Sequence, residues 1–270
     1  MARLPVALTI AGSDSGAGAG IQADIKTFAA LGVYAACAIT AVTAQNTQGV
    51  TDIHFVPPRS VSAQIDAALC DFDVAAIKIG MLGAADVADA VADRLGGLTT
   101  GRPFIVFDPV MVASSGDALS KEGFLDAVKA KVLPLVDCLT PNLAEAAALL
   151  GGAQARDEAT MAAQGRALLA LGSRAVLMKG GHLESGEAVD WLVTRKDARR
   201  YAGPRIDSTN THGTGCTLSA AVAAHVALGA GLQDAVAAAK AFVARAIEAG
   251  RDVRLGGGRG PLMQMAVRGR

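Results

Sequence analysis

Short runs of aliphatic residues alternate with longer alanine-rich stretches along most of the 270-residue chain. Several of the short runs are apolar at consecutive positions, as in Ile105–Phe107 and Ala175–Met178. Strands of this kind are buried on both faces, which is typical of a mostly parallel sheet covered by helices. We therefore predict an α/β fold. Since no linker-like segment interrupts the pattern, we also predict a single domain spanning residues 1–270.

The individual elements are predicted from the same patterns. The predicted strands are Val6–Ala11, Cys37–Val42, Ala75–Ile79, Phe104–Phe107, Cys138–Thr140, Ala175–Met178 and Ala188–Thr194, with the last sheet element near Val189–Tyr201. The predicted helices are Ile21–Leu31, Val61–Cys70, Ala84–Leu95, Lys121–Val132, Leu143–Leu149, Ala159–Leu171, Thr214–Leu228 and Leu232–Ala249. In such a sheet, ligands bind beside the loops that leave the carboxyl ends of the strands. Residues in those loops are therefore the candidates for function.

Composition excludes several functional classes. The chain has 25 Lys and Arg against 25 Asp and Glu, and this zero net charge argues against a generally basic nucleic-acid-binding protein. Apolar runs such as Val33–Val42 and Leu218–Ala230 are shorter than the roughly 18–20 residues that span a bilayer. The amino-terminal apolar stretch is too short for a signal peptide. The four scattered cysteines form no CxxC pair, which argues against a disulfide framework or zinc site and favours a cytoplasmic protein.

A glycine-rich loop, Ala11–Asp24, joins the first predicted strand to the first predicted helix. Its glycines allow the backbone to approach a ligand and expose N–H groups; they are Gly12, Gly16, Gly18 and Gly20. The spacing differs from the GxGxxG fingerprint of dinucleotide-binding turns, which disfavours a Rossmann dehydrogenase. Asp24, in the first turn of the predicted helix, is either part of a site or a carboxylate that complements the helix dipole.

A second loop, Asn210–Ser219, places two glycines on either side of Thr214 at the start of a strongly apolar helix. The amino terminus of a helix presents unpaired N–H groups and a positive dipole end, which suits a phosphoryl group. Cys216 falls in the first turn of this helix, a position that lowers the pKa of a thiol and favours a nucleophile or proton acceptor. The alternative interpretation is that Cys216 is a small buried residue and that Thr211 or Thr214 caps the helix.

The third candidate loop is Thr140–Ala146. Asn142 and Glu145 are three residues apart on a first helical turn, so their side chains share a face. Their oxygens suit a hard cation such as Mg²⁺. The same spacing is that of a capping box, and the residues alone favour the cap.

Five further residues stand at or shortly after the ends of predicted strands. Asp108, before a proline, is either a turn residue or a carboxylate near a metal–phosphate group. Lys179, before two glycines, is suited to nucleotide phosphates. The adjacent amides of Gln45 and Asn46 are suited to the edge of a heterocycle. Met81 is a core residue or a soft wall against an aromatic ring.

Taken together, these segments resemble the ribokinase-like superfamily, and within it the hydroxymethylpyrimidine/phosphomethylpyrimidine kinases of thiamine biosynthesis. The segments that carry the resemblance follow the family's order: AGSDSGAGAGIQADIKTF (11–28), ITAVTAQNTQGV (39–50), KIGML (78–82), FDPVM (107–111), LTPNLAEAAALL (139–150), VLMKGGH (176–182) and NTHGTGCTLSAA (210–221). The resemblance implies a three-layer α/β/α sandwich and a homodimer. It also implies an ATP- and Mg²⁺-dependent kinase that acts on the hydroxymethyl group of 4-amino-5-hydroxymethyl-2-methylpyrimidine and then on its monophosphate.

The resemblance also assigns roles to individual residues. Those matching the pyrimidine pocket are Gly12, Asp24, Gln45, Met81, Val110 and Cys216. Those matching the anion hole are Gly213, Thr214 and Gly215. Those matching the surroundings of Mg²⁺ and the nucleotide phosphates are Asp108, Asn142, Glu145 and Lys179. Two departures accompany this match: the first loop reads SDSGAGAG where relatives usually have SDSSGGAG, and Thr43, which faces the substrate, stands at a commonly aliphatic position.

The chemistry of the residues agrees with a kinase. The N–H groups of Gly213–Cys216 would hold the transferring phosphoryl group, assisted by Lys179 and by a cation held through Asp108 and Glu145, partly by water. Cys216 is the candidate base, provided that its pKa is lowered. Three alternatives stay open, namely a pyridoxal or pyridoxine kinase of the same superfamily, a non-catalytic nucleotide- or pyrimidine-binding sensor, and the Rossmann dehydrogenase.

Overall fold

A nine-stranded sheet runs through the part of the chain that the computed structural model describes, residues 4–98, 101–112, 116–117, 119–181 and 186–267. The strands, in chain order, are β1 (Val6–Asp14), β2 (Tyr34–Gln45), β3 (Val50–Phe55), β4 (Val74–Ile79), β5 (Phe104–Phe107), β6 (Cys138–Leu139), β7 (Ala175–Lys179), β8 (Glu187–Thr194) and β9 (Ala198–Pro204). Their order in the sheet is β3-β2-β1-β4-β5-β6-β7-β8-β9. The six strands from β2 to β7 in this order are parallel, whereas β3, β8 and β9 are added by antiparallel pairing.

Helices cover both faces of the sheet. They are α1 (Gly20–Ala30), α2 (Pro58–Asp71), α3 (Ala85–Gly96), α4 (Phe124–Ala127), α5 (Leu143–Leu150), α6 (Glu158–Leu169), α7 (Thr214–Ala227) and α8 (Leu232–Gly250). Successive residues of one strand enter different cores: Ile105 and Phe107 pack with α2 to α6, while Val106 packs with α1, α7 and α8. This explains the consecutive apolar positions and confirms the three-layer α/β/α fold. Within the described ranges, no helix is long and apolar enough to cross a bilayer.

The structure departs from the predicted elements mainly at exposed strands. β3 was not predicted, because this edge strand is half-exposed and has no continuous apolar run. The predicted last sheet element is a hairpin of β8 and β9 that turns at Thr194–Asp197 and extends to Pro204. The predicted helix Lys121–Val132 is α4 followed by a π-helical turn, Val128–Val132, and a short 3₁₀ turn that contains a proline.

We expect Phe242→Ala to lower the free energy of unfolding by about 3–5 kcal/mol, because it removes a fully buried ring of α8 and leaves a cavity. Phe72→Ala is the matched control, since Phe72 is 36% exposed and packs on Tyr34 near the surface, so its loss should cost markedly less than that of Phe242. Urea denaturation followed by circular dichroism measures both variants. Equal losses would contradict the placement of Phe242 in the core.

Candidate active site

Three residues predicted to handle phosphate and metal lie together at the carboxyl edge of the sheet. Asp108 directly follows β5, Lys179 ends β7 and Glu145 lies in the first turn of α5. Lys179 Nζ lies 2.5 Å from Asp108 Oδ1 and 3.6 Å from Glu145 Oε2. The hydroxyl oxygens of Thr140 and Ser219 each lie 3.3 Å from the Asp108 carboxylate. A largely buried ammonium group is therefore matched by carboxylates where the parallel strands end.

Asn142 and Glu145 form the helix cap that their spacing indicates. Asn142 Oδ1 accepts from the N–H of Glu145 at 2.9 Å, and Glu145 Oε2 accepts from the N–H of Asn142 at 2.7 Å. Burial raises the pKa of Glu145 to about 7; Lys179 opposes the rise and Asp108 adds to it. Two carboxylates against one ammonium group leave an excess of negative charge, which suits a hard cation.

The start of α7 lies against both the first loop and Lys179. Gly213 has a φ of +83° and packs so closely on the Gly18 carbonyl oxygen that a side chain would collide with it. A Cβ on Gly215 would lie 3.1 Å from Lys179 Nζ, so the backbone approaches the ammonium group. The N–H of Thr214 donates to Thr211 at 3.2 Å, which removes one of the predicted phosphoryl donors. The amides of Gly215 and Cys216 lie in the first turn, where helix geometry supplies no carbonyl partner.

The expectation of a lowered pKa for Cys216 is wrong. Burial raises the pKa of its thiol to about 11, although the charge of Lys78 and the N–H of Gly20 act in the opposite direction. The nearby carboxylates of Asp108 and Asp24 add to the rise. Helix position alone favours the thiolate, but the loss of hydration outweighs it here. Cys216 is therefore a neutral thiol at neutral pH.

Asp24 does not complement the dipole of α1; it neutralises a buried lysine. Lys78 of β4 and Asp24 are both fully buried, and Lys78 Nζ lies 2.9 Å from Asp24 Oδ2. Thr9 Oγ1 donates to the same oxygen at 2.6 Å. Burial raises the pKa of Asp24, with Lys78 as the main opposing charge. The pair lies close enough to Cys216 to shift its pKa, so Asp24 belongs to the charge network beneath the thiol.

Asp14 organises the first loop. Its carboxylate accepts N–H donors from three residues of the loop at 2.8–3.0 Å, namely Gly16, Gly18 and Ala19. His212 Nε2 lies 2.9 Å from Asp14 Oδ2, so the loop is joined to the segment that leads into α7. Sequence reasoning missed both residues. The position of Asp14 within the glycine-rich loop is the signal that was available for it.

Several residues predicted to line the pyrimidine pocket lie near one another. Met81 packs over Gly12 and, with Val110, forms a small apolar cluster at the end of β4. Gln45 ends β2, and Thr43, two residues earlier, lies with its hydroxyl oxygen 3.2 Å from Gln45 Oε1. The amide of Gln45 also approaches His212, at 3.5 Å.

The glycine-rich segment near the carboxyl end packs on the turn after β2. The N–H of Arg259 donates to the Thr47 carbonyl at 3.0 Å, and Gly260 accepts from the N–H of His212 at 3.0 Å. Asn46, predicted as part of a heterocycle-reading pair, instead accepts from the N–H of Gln48 within the turn. The tail thus fastens the turn after β2 to the segment before α7.

Comparison with known proteins identifies the family. The phosphomethylpyrimidine kinase model matches residues 14–263. The hydroxymethylpyrimidine/phosphomethylpyrimidine kinase of Rhizobium meliloti is 52% identical over 95% of this chain and 96% of its own length. This chain belongs to the phosphomethylpyrimidine kinase family. A crystal structure of phosphomethylpyrimidine kinase from Clostridium difficile has a TM-score of 0.79 at 38% identity, covering 91% of this chain and all of that one. Pyridoxal kinase of Bacillus subtilis, solved with ADP, has a TM-score of 0.88 at 33% identity over 98% and 99%.

Within this kinase family fold, the residues predicted from the sequence form two groups. The first surrounds Lys179 at the start of α7, and the second surrounds Gln45 and Met81. His212 and the Gly213–Gly18 contact join the two groups. Asp24 is set apart from both, because it is fully buried in its pair with Lys78.

We expect iodoacetamide to modify Cys216 slowly near neutral pH and faster as the pH approaches about 11, because the thiolate is the reactive form. Peptide mass spectrometry after timed labelling measures the rate at each pH. Exposed Cys70 is the internal control for reagent activity. Labelling of Cys216 at neutral pH as fast as that of Cys70 would contradict the raised pKa.

Proposed function

We propose that this chain phosphorylates 4-amino-5-hydroxymethyl-2-methylpyrimidine with ATP and then phosphorylates the resulting monophosphate, as a step of thiamine biosynthesis. The observation that carries the proposal is the convergence of Lys179 and Asp108 on Gly215 at the start of α7. That convergence places a cation, a carboxylate and helix-terminal N–H groups around one point. Membership of the phosphomethylpyrimidine kinase family supports the substrate class.

Phosphoryl transfer needs positioning and neutralisation of charge more than it needs covalent participation by the protein. The first-turn amides of Gly215 and Cys216 are placed to donate to the transferring group. Lys179 supplies a fixed positive charge beside them, since its pairing with Asp108 holds the ammonium group at this position. Gly213 would contribute through the backbone turn that aims these amides, and Thr214 through its place in that turn.

The residues at this edge fit Mg²⁺. Asp108 and Glu145 are buried carboxylates that share one lysine, and the pKa of Glu145 is raised by burial and further by the charge of Asp108. Mg²⁺ is usually bound through one or two carboxylates, with waters and substrate phosphates completing its shell. These two residues would hold it, with Asn142 fixing Glu145 through the cap. The cation would supply neutralisation of the nucleotide phosphates.

Cys216 would relay a proton late in the reaction: its sulfur would accept the proton of the substrate hydroxyl while its own S–H proton passes to an oxygen of the transferring phosphoryl group. Because its pKa is about 11, the thiol is not ionised in advance. A loose phosphoryl-transfer transition state leaves little need for an early base, so proton release can follow the advance of the phosphoryl group. Lys78 and the Gly20 N–H would stabilise any negative charge on the sulfur.

The pyrimidine would lie between the first loop and the end of β4. Met81 and Val110 offer apolar surface to a ring, with Gly12 leaving space beneath it. Gln45 would bind the heteroatom edge, and Thr43 makes this wall more polar. We assign Asp24 to the buried charge network with Lys78 and not to direct contact with the pyrimidine.

We extend the proposal to a single kinase domain over residues 1–270 that acts as a homodimer. The nine strands form one continuous sheet, which supports the proposal of a single domain. The dimer and a cytoplasmic location stay predictions; sedimentation of the purified protein tests the dimer.

A coupled assay of ATP consumption tests the function with three acceptors in parallel: the hydroxymethylpyrimidine, its monophosphate and pyridoxal. We expect both pyrimidines to be phosphorylated with kcat/KM at least about tenfold above that of pyridoxal. A preference for pyridoxal would favour the alternative represented by the pyridoxal kinases of the same fold. ATP binding without turnover of any acceptor would favour a sensor.

We expect Cys216→Ala to lower kcat by at least about tenfold while KM for the pyrimidine changes less than about threefold, because proton transfer is lost and the pocket is kept. Steady-state kinetics at saturating ATP measures both constants. Cys216→Ser keeps a hydroxyl that can pass on the proton and should retain more activity. An unchanged kcat in the alanine variant would remove the base assignment.

A further inference from the structure

The amide of Gln45 is surrounded by groups whose donors and acceptors do not match its orientation in the structure. Oε1 lies 3.2 Å from Thr43 Oγ1, and Nε2 lies 3.5 Å from His212 Nε2. The Thr43 hydroxyl oxygen is also 3.0 Å from the Ser13 carbonyl. One hydroxyl proton cannot serve two acceptors, so either Ser13 or Gln45 is left without it.

His212 cannot accept from Gln45 at the same nitrogen. Asp14 is 2% exposed, and although burial alone would raise its pKa, hydrogen bonds from His212 and from Ala19 bring the pKa below its usual value. An ionised carboxylate accepts and does not donate, so the proton in the 2.9 Å bond between the two side chains lies on His212 Nε2. That nitrogen is therefore a donor, and the Gln45 NH₂ group would face it as a second donor.

A half-turn of the Gln45 amide removes both conflicts. The oxygen and the NH₂ group are of similar size, so the half-turn fits the same space. Nε2 then donates to Thr43 Oγ1, the Thr43 hydroxyl donates to Ser13, and Oε1 faces the His212 donor. Each of these protons then has one acceptor: the single proton of His212 Nε2 stays with Asp14, and the half-turn places an oxygen beside that N–H group where a second donor had faced it.

We propose that Thr43, at a position that is commonly aliphatic in relatives, is a positioning residue that holds the Gln45 amide in this orientation and so strengthens the preference for an aminopyrimidine over a pyridine alcohol. The inference rests on the proposed function. A primary amide pairs with a ring edge that offers an acceptor beside a donor, as glutamine pairs with adenine. Once the positions of the amide oxygen and NH₂ group are fixed, the substrate ring must present its donor and its acceptor in one particular order. An aminopyrimidine offers a ring nitrogen beside an amino group, whereas a pyridine alcohol does not.

Hydrogen bonds of the backbone restrict the positions that the Gln45 side chain can take. Its backbone is clasped by Ser15, whose hydroxyl accepts from the Gln45 N–H at 2.8 Å and donates to the Gln45 carbonyl at 2.7 Å. Thr43 is 4% exposed, so water cannot readily replace its hydroxyl. The orientation of the amide thus depends on the side chain of Thr43.

The first test reads the orientation without any substrate. In protein labelled with ¹⁵N and ¹³C, the side-chain NH₂ signal of Gln45 is assigned by its loss in Gln45→Glu. We expect nuclear Overhauser contacts from these protons to the side chain of Thr43. Contacts to the imidazole C–H of His212 without contacts to Thr43 would overturn the proposed orientation.

The second test is kinetic and compares Thr43→Val, Thr43→Ser and the control Thr27→Val. The control removes an equally buried hydroxyl, which donates to Ala23 within α1. We expect Thr43→Val to raise KM for the hydroxymethylpyrimidine about five- to tenfold with kcat and KM for ATP within about twofold, and to leave KM for pyridoxal within about twofold. Thr43→Ser and Thr27→Val should stay within about twofold of the unmodified protein throughout.

The outcomes separate this inference from the proposed function. If the unmodified protein does not phosphorylate the pyrimidine, the proposed function fails, and with it the specificity role of Thr43. If it does and Thr43→Val keeps its KM, the function stands and the inference alone fails. Equal losses in the serine and valine variants, or equal rises in KM for both acceptors, would also overturn the specificity role.

Discussion

Charge buried at the carboxyl edge of the sheet is the constraint on which the site depends. Lys78 and Lys179 are enclosed by protein, and each is paired with a carboxylate, Asp24 or Asp108. A buried charge without a partner costs several kcal/mol, so neither member of a pair can be removed without stranding the other. Glu145 is the second carboxylate beside Lys179; burial raises its pKa, Asp108 adds to the rise, and the two carboxylates leave the edge suited to a cation. The charges that stabilise the free protein thus also define what it can bind.

Close approach of the backbone is the second requirement of the proposed site, because Lys179 and Asp108 lie at strand ends whereas the proposed phosphoryl donors lie in the first turn of a helix. Gly215 brings the first turn of α7 against Lys179, and Gly213 brings the same turn against the carbonyl of Gly18. Side chains at either position would separate these segments. His212 then ties the arrangement to the end of β2 through Asp14. The loops that we propose to contact the substrate and the phosphates are therefore joined by the same hydrogen bonds and backbone contacts.

The parts of this arrangement that follow from local sequence could be predicted. Asp108 and Lys179 were found because each follows a strand that is apolar at consecutive positions. Lys78 was not found, because it lies inside such a strand and its partner Asp24 is 54 residues away. The pKa of Cys216 was predicted in the wrong direction. The sequence shows that Cys216 lies at the start of a helix, which lowers a thiol pKa, but it does not show the burial by distant segments that raises the pKa by more.

Ala17 shows how the first loop tolerates its unusual sequence. Among the described residues it is the non-glycine residue with a positive φ, 59°, and the family resemblance places glycine at this position in SDSSGGAG. An alanine in this conformation costs about 1 kcal/mol. The cost is offset locally, because the N–H of Ala17 donates to the Asp14 carbonyl at 2.9 Å and Lys26 donates to the Ala17 carbonyl at 2.7 Å. The Asp14 carboxylate also accepts from the next amides, and these internal hydrogen bonds favour the loop conformation seen here, so binding needs to supply less of the free energy of ordering the loop.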